Sequence, residues 1–171
     1  NYREIRKELI IKGYIFNSRS DSEVIVHGYQ EWGINIIKKL RGMFAIAIWD
    51  EKVKRLILIK DRVGKKPLYY TEINGKVYFA SDIKSIFYVL DKRSEIDLHG
   101  LDCYLTYLCV PHNHCIFKGV KKIHPGSFVL FDLNDTQINK YWNIDFSLKY
   151  NLSEQEIIEN TDKLILESTQ L

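Results

Sequence analysis

Residues 41–84, RGMFAIAIWDEKVKRLILIKDRVGKKPLYYTEINGKVYFASDIK, decide the fold. β-Branched and aromatic residues fill four short apolar runs, and charged or Gly/Asn turns separate the runs, which is the pattern of successive β-strands. We expect strands at about 43–49, 54–60, 67–72 and 76–80. Asn74-Gly75 is a strong hairpin signal between the last two strands. The stretch is therefore predicted to form the sheet of a layered domain of helices and strands.

The first of these strands has apolar residues on both faces. Phe44, Ile46 and Ile48 alternate with the small residues Ala45 and Ala47. A strand with two apolar faces is typical of the middle of a sheet. We expect this strand to be central and buried on each side.

Helical patterns precede the strands. Apolar spacing predicts a helix over about 2–12, which Gly13 ends. Ser20 and Glu23 have the spacing of a capping box, so a second helix is expected to begin there and to end at Gly33. Both helices belong to the same domain as the strands.

The rest of the chain returns to helix, with one more hairpin. We expect, in order, a helix from Ser81-Asp82, a helix capped by Asp97 that stops before Pro111, a hairpin of residues 127–131 and 136–142 around Asn134-Asp135, and an amphipathic helix from Ser153. Residues 143–152 are interpreted as a linker.

Composition excludes several classes of protein. The chain has 25 Lys+Arg against 22 Asp+Glu, and a net charge of +3 gives no case for a nucleic-acid partner. No apolar run approaches the ~18 residues that span a bilayer, and the first residues do not have the layout of a signal peptide. We expect a cytoplasmic protein without a membrane partner. Basic pairs such as Lys121-Lys122 are expected in solvated turns.

The sulfur and imidazole groups do not predict a metal site. Cys103, Cys109 and Cys115 contain no CxxC pair, which argues against a disulfide framework and a zinc site, so buried free thiols are expected. His112 and His114 stand beside Cys115 without a second cluster of ligands and are interpreted as a surface loop.

Residues 60–67, KDRVGKKP, superficially suggest a phosphate-binding loop. The segment has one glycine and no G-x-x-x-x-G-K-[ST] pattern, and Pro67 removes a backbone donor, so this interpretation is rejected. Gly64 is expected to supply a positive φ in a tight connection.

Five blocks of sequence, over about 16–146, resemble one known family in order and spacing. They are SRSDSEVIVHGYQEWG, KLRGMFAIAIWDEKVKRLILIKDRVGKKPLYY, VYFASDIKSI, IFKGVKKIHPGSFVLF and KYWNIDF. They resemble the glutamine amidotransferase domain of bacterial glutamine-dependent asparagine synthetases, and RGMFA followed by DRxGxKPLYY is close to diagnostic of it. The resemblance implies a class II amidotransferase domain of the N-terminal-nucleophile fold, an α+β protein in which two antiparallel sheets flanked by helices form an αββα sandwich, here incomplete at the N-terminus.

The resemblance also implies where the chemistry lies. In this family an N-terminal cysteine attacks the side-chain amide of glutamine and releases ammonia through a thioester. The start of the chain, NYRE, resembles the end of the family's NGEIYNYxEL segment, so that cysteine is expected upstream, together with the arginine and the Asn-Gly pair that hold glutamine and the oxyanion. None of the three cysteines of this chain matches it. The family's ATP loop, SGGxDS, is expected beyond Leu171.

We therefore expect a chain that is truncated at both ends and inactive alone, with no catalytic residue of its own. Residues 1–145 are expected to form part of the glutaminase domain. Residues 146–171 are expected to be the linker and the first helix of the ATP-pyrophosphatase domain, which makes asparagine.

Two residues match functional positions of the family. Asp21 matches the aspartate of its S-D-x-E-V block, which binds the α-ammonium of glutamine; taken alone, it is an acidic residue stabilised at a helix start. Met43 matches the methionine of RGMFA, which lines the passage for ammonia; taken alone, ordinary core packing explains it as well.

For the intact parent, the resemblance implies an asparagine synthase (glutamine-hydrolysing), a ligase of asparagine biosynthesis. Its substrates are glutamine, aspartate and ATP, it uses Mg²⁺, and the family's habit of dimerising implies a homodimer. No cofactor is expected for these 171 residues. Two alternatives stay open: a related amidotransferase that acts on a sugar, on a peptide or in ring closure, and a non-catalytic module that kept the fold and lost the nucleophile.

Overall fold

The computed structural model describes residues 1–90, 95–111, 114–133, 135–147 and 149–170. The helices are α1 (Tyr2–Ile11), α2 (Asp21–Trp32), α3 (Ile36–Lys39), α4 (Ile83–Phe87), α5 (Leu98–Tyr107) and α6 (Glu154–Thr169), with a 3₁₀ turn at Gly33–Asn35. The strands are β1 (Ala45–Asp50), β2 (Arg55–Lys60), β3 (Tyr69–Ile73), β4 (Lys76–Ala80), β5 (Lys121–Lys122), β6 (Ser127–Phe131) and β7 (Thr136–Lys140).

The chain divides into two units, which are described separately. The helical unit comprises Asn1–Arg41 and Ile144–Leu171, and the sheet unit comprises Gly42–Asn143. None of the helices in the described part of the chain is both long enough and apolar enough to span a membrane.

In the helical unit, the predicted helices α1 and α2 are confirmed. Leu9 of α1 and Val24 of α2 are fully buried, and so is Ile36 at the start of α3. The helices approach closely at Gly28, where an added Cβ would lie 2.5 Å from Cδ1 of Ile36. Gly33 ends α2 with a φ of 58°, which favours glycine.

The predicted start of α2 at Ser20 is confirmed, but the predicted capping box of Ser20 and Glu23 is wrong. Ser20 is the N-cap, and its side chain accepts a hydrogen bond from the backbone N–H of Ser22. The backbone N–H of Ser20, however, donates to Oγ of Ser18 at 3.1 Å and not to Glu23. A complete capping box is formed at α6, by Ser153 and Glu156, which confirms the helix expected from Ser153.

The sheet unit contains two antiparallel sheets, whereas residues 41–84 were predicted to form one. The strand orders are β1-β2-β6-β7 and β4-β3-β5. The sheets are stacked: Leu58 and Val129 of the first share a buried core with Tyr70 of the second and with Leu68, which directly precedes β3. The chain passes from one sheet to the other between β2 and β3, so the predicted hairpin at Asn74-Gly75 joins β3 and β4 alone.

The prediction that the first strand is central is also wrong. Among the described strands, β1 pairs with β2 alone and lies at the edge of its sheet, and its Ala47 and Trp49 are exposed. The adjacent β2 is the central strand, with Ile57, Leu58 and Ile59 almost completely buried. Two apolar faces therefore do not distinguish an edge strand such as β1 from a strand that has a neighbour on each side, such as β2.

Helices α4 and α5 begin at the predicted residues. Asp82 caps α4 by accepting from the N–H of Lys84, and Asp97 caps α5 by accepting from the N–H of Gly100. Helix α5 ends at Leu108, which has a left-handed φ of 56°, ahead of Pro111 as expected. The hairpin of β6 and β7 is confirmed as well, although its Asn134 lies outside the described residues.

Two smaller expectations are corrected. Lys121-Lys122 was expected in a solvated turn, but it forms β5, which pairs with Tyr69-Tyr70 of β3. Cys103 and Cys115 are buried free thiols as expected, whereas Cys109 is exposed. Cys109 follows Leu108, the residue at which α5 ends.

Candidate functional site

Asp21 is the first residue of α2 and is exposed to solvent. Its Oδ1 lies 3.4 Å from Oγ of Ser20, which can donate to it. Because Ser20 provides the cap of the helix, the Asp21 carboxylate is not required for capping. An exposed carboxylate with one hydroxyl donor has remaining lone pairs for a ligand cation. Glutamine binding at Asp21 stays a prediction.

The segment before Asp21 is held by Glu23, a residue that the sequence analysis assigned only to the capping box. The Glu23 carboxylate accepts from the backbone N–H groups of Asn17 and Ser18, both at 2.7 Å, and from the Ser18 hydroxyl at 2.5 Å. The Ser18 hydroxyl and the Asn17 amide are the main reasons that the pKa of Glu23 is lowered to about 2. Glu23 is thus kept as a carboxylate by donors from the preceding loop.

Aromatic and basic side chains surround this loop. Nη2 of Arg6 donates to the carbonyl oxygen of Ser18 at 2.6 Å, and its guanidinium lies over the ring of Phe16, 4.2 Å from the centroid. The Phe16 ring packs edge-on against His27, with centroids 4.8 Å apart. Nε2 of His27 lies 3.7 Å from Oε1 of Glu23. The loop is therefore held by hydrogen bonds with side chains of both adjacent helices, Arg6 of α1 and Glu23 of α2.

Met43 belongs to the sheet unit and precedes β1. Its side chain is 65% exposed, so the expectation of ordinary core packing is wrong. Gly42 before it has a φ of 125°, in the region that favours glycine. Asp21 and Met43 lie in different units, and each is described within its own unit. The role of Met43 in an ammonia passage stays a prediction.

Asp61 fixes the backbone that follows Met43. It is completely buried, and its carboxylate accepts from the backbone N–H groups of Phe44 at 3.3 Å and of Lys65 and Lys66, both at 2.9 Å. Gly64 has a φ of 72°, which confirms the tight connection. The Lys65 and Lys66 amides are already bonded to a carboxylate, which agrees with the rejection of a phosphate-binding loop.

A cavity of about 290 Å³ lies in the sheet unit, and the sequence analysis missed it. Cys109, Cys115 and Lys122 are among the residues that line it. Nζ of Lys122 donates to the carbonyl oxygen of Val110 at 3.0 Å, and burial lowers the pKa of Lys122. No local sequence pattern predicts this cavity, because its lining comes from β3, α4, α5 and the segment from Cys109 to Lys122.

The imidazole and thiol groups near α5 pack against one another. The rings of His99 and His114 have centroids 4.5 Å apart, and Nε2 of His99 lies 3.8 Å from Sγ of Cys103. Among the residues that the structure describes, no three His, Cys, Asp or Glu side chains are arranged to hold a metal ion. His112, considered with His114 in the sequence analysis, lies outside the described residues.

Comparison with known proteins places these features in a family. Residues 1–142 match the glutamine amidotransferase domain family. "Asparagine synthetase [glutamine-hydrolyzing] 1" of Bacillus subtilis is 37% identical over 172 residues, which cover 100% of this chain and 27% of the relative. "Asparagine synthetase [glutamine-hydrolyzing] 3" of the same organism is 35% identical, covering 96% of this chain and 27% of the relative. The chain thus spans about a quarter of the length of these relatives.

The chain is also similar to an amidase and to a solved amidotransferase structure. The amidase chyE of Penicillium rubens is 30% identical and covers 98% of this chain and 25% of the relative. The solved glutamine phosphoribosylpyrophosphate amidotransferase of B. subtilis superposes with a TM-score of 0.58 at 18% identity, covering 83% of this chain and 27% of that chain. The structural likeness shows the fold, an α+β fold of the N-terminal-nucleophile amidotransferases.

Proposed function

The chain belongs to the glutamine amidotransferase domain family, and from this premise we propose that it is part of an asparagine synthetase that hydrolyses glutamine. The similarity to glutamine-hydrolysing asparagine synthetases over the whole chain supports this proposal. The structural observation that carries it is the exposed Asp21 carboxylate at the start of α2, next to a braced loop. Such a carboxylate has the charge and the accessibility that the α-ammonium of glutamine requires.

In the proposed mechanism, this chain binds and positions the substrate. Asp21 accepts hydrogen bonds from the α-ammonium of glutamine while a cysteine thiolate, which the resemblance places upstream, attacks the side-chain amide. Ammonia leaves, and water then releases glutamate from the thioester. Cys103, Cys109 and Cys115 have no part in this reaction. Met43 lines the passage of ammonia, where an apolar surface keeps the neutral molecule from being protonated.

The proposal places ATP and Mg²⁺ outside this chain. The described residues contain no cluster of metal ligands, and the amides after Asp61 are bonded to its carboxylate, so they do not fit a nucleotide phosphate. ATP would activate the aspartate carboxyl group for attack by ammonia in the remaining part of the parent. These 171 residues alone would be inactive.

The domain boundaries and the setting belong to the same proposal. Residues 1–145 would be part of the glutaminase domain, and residues 146–171 the linker and the first helix of the ATP-pyrophosphatase domain. The parent would act in the cytoplasm as a homodimer, on glutamine, aspartate and ATP. Neither a nucleic acid nor a membrane is proposed as a partner.

A different acceptor is the second candidate function. The similarity to a Penicillium rubens protein over 98% of the chain favours it, because that relative is named as an amidase and not as an asparagine synthetase. In that case the glutaminase chemistry would be the same, and ammonia would go to a sugar or a peptide or be used in ring closure.

The experiment is an assay of the full-length protein to which we propose the chain belongs. It is incubated with glutamine, aspartate, ATP and Mg²⁺, and glutamate and asparagine are measured, with ammonium chloride in place of glutamine as a control. We expect both products with glutamine and asparagine alone with ammonium. If glutamate forms from glutamine but asparagine forms with neither glutamine nor ammonium, the acceptor is another molecule. If neither glutamate nor asparagine forms, the protein is a non-catalytic module.

A further inference from the structure

The Glu23 side chain makes all its hydrogen bonds to the loop before α2. Its two carboxylate oxygens accept from three donors, namely the N–H groups of Asn17 and Ser18 and the hydroxyl of Ser18, at distances between 2.5 and 2.7 Å. Because all three groups are donors, only a side chain with two acceptor oxygens satisfies them together. An amide side chain would present an N–H₂ group to at least one of them.

A chain of hydrogen bonds leads from Glu23 to Asp21. The Ser18 hydroxyl, which donates to Glu23, accepts from the backbone N–H of Ser20 at 3.1 Å. Ser20 in turn accepts from the N–H of Ser22 and contacts Oδ1 of Asp21 at 3.4 Å. The orientation of Asp21 therefore depends on Ser20, and that of Ser20 depends on Glu23 through Ser18.

Helix α1 holds the opposite side of the same loop. Arg6 donates to the carbonyl oxygen of Ser18 at 2.6 Å, while the N–H of Ser18 donates to the Glu23 carboxylate, so both backbone groups of Ser18 are bonded to charged side chains. Hydrogen bonds to charged groups are stronger than those between neutral groups. The loop is thus fixed before any ligand arrives, which reduces the ordering cost of binding.

We infer that Glu23 is a positioning residue, which fixes the Asp21 carboxylate for the ammonium group of an amino-acid substrate through Ser18 and Ser20. This inference rests on the proposed function, because it needs Asp21 to bind the α-ammonium of glutamine. Glu23 itself does not contact the substrate, and it acts on Asp21 through the hydrogen bonds of Ser18 and Ser20. The structural requirement is a carboxylate at position 23.

The test is a double-mutant cycle in the full-length protein, with Asp21→Asn, Glu23→Gln and the double variant. Glu31→Gln is the matched control, because Glu31 lies on the same helix but bonds to Lys12 and Tyr14, just after α1, and not to Asn17 or Ser18. KM and kcat are measured with glutamine, and thermal unfolding of each variant reports on folding. We expect Glu23→Gln to raise KM for glutamine roughly tenfold, as for the loss of one hydrogen bond to a charged group, and Glu31→Gln to leave it unchanged.

The two single variants should not be additive. If Glu23 acts through Asp21, the double variant has the KM of Asp21→Asn alone. If Asp21→Asn raises KM and Glu23→Gln does not, the inference is overturned while the proposed function stands. Additive effects would overturn it too, since Glu23 would then act by another route. An unchanged KM in Asp21→Asn would overturn the assignment of Asp21 and the inference together.

Discussion

The buried carboxylate of Asp61 accepts a hydrogen bond from the backbone N–H of Phe44 at 3.3 Å, 17 residues earlier in the chain. The same carboxylate bonds the amides of Lys65 and Lys66, and the backbone N–H of Asp61 donates to the carbonyl oxygen of Phe44 at 3.0 Å. One residue therefore holds the entry to β1, directly after Met43, and the loop that crosses from one sheet to the other.

We expect Asp61→Ala to lower the free energy of unfolding by about 3 kcal/mol, because three backbone N–H groups lose one buried, charged acceptor. Denaturant unfolding measures the change. Asp102→Asn, at an exposed residue of α5, is the control and should change stability by less than about 0.5 kcal/mol. Equal stability of the two variants would contradict the role of Asp61.

Asp21→Asn should weaken the use of glutamine in the full-length protein. The amide keeps the size of the side chain but loses the charge, and a hydrogen bond to a charged group contributes about 1.5–3 kcal/mol, so KM should rise roughly 10- to 100-fold. Steady-state kinetics with glutamine and with ammonium measure the effect. If KM for glutamine did not change, Asp21 would be only a helix-start residue.

Met43 should affect the transfer of ammonia rather than its release. Met43→Glu places a charge in the proposed passage and attracts water, so ammonia is protonated and lost, and less asparagine forms per glutamate. Met43→Leu keeps the apolar surface and is the control. The ratio of asparagine to glutamate is measured with glutamine as the nitrogen source. An unchanged ratio in Met43→Glu would exclude Met43 from the passage.

Glu23 should titrate far below an ordinary glutamate. Hydrogen bonds from Ser18 and Asn17, with a smaller contribution from the charge of His27, lower its pKa from 4.5 to about 2. Because the pKa of Glu23 is lower in the folded state than in the unfolded state, the ionised Glu23 side chain stabilises the fold. This contribution is complete above about pH 4.5 and is lost as the pH falls towards 2. The stability difference between the wild type and Glu23→Gln should therefore shrink over this interval.

Carboxyl NMR provides the direct measurement of this titration. The midpoint of Glu23 should lie at about 2. A midpoint near the ordinary glutamate value would contradict the hydrogen bonds that hold the loop.

The three cysteines should differ in reactivity. Cys109 is exposed, whereas Cys103 and Cys115 are buried, so one thiol should react rapidly with a water-soluble disulfide reagent and the other two only after unfolding. Cys109→Ser should abolish the rapid phase. A rapid phase that persisted in this variant would show that a buried thiol is accessible.

The helix boundaries followed from the sequence because their causes are local. Ser20, Asp82, Asp97 and Ser153 cap the helices that were expected from them, and Gly33 ends α2 in a conformation that glycine adopts without strain. Each of these signals depends on neighbours within a few residues. The five blocks that resemble the amidotransferase family likewise identified the family without a structure.

Strand neighbours and side-chain partners depended on residues far apart in the chain. The pairing of β2 with β6 decides that β2 and not β1 is central, and no pattern within residues 41–84 contains β6. Glu23 has the spacing of a capping residue, yet the fold of the preceding loop directs its carboxylate to Asn17 and Ser18.

The sequence by itself thus determined the main helices, the strands other than β5, the family and the position of Asp21 at the start of α2. Tertiary structure alone decided the division into two sheets, the burial of Asp61 and the route from Glu23 to Asp21. The physical reason is that capping and turn formation are local, whereas burial and long-range hydrogen bonding depend on which segments the completed fold brings into contact.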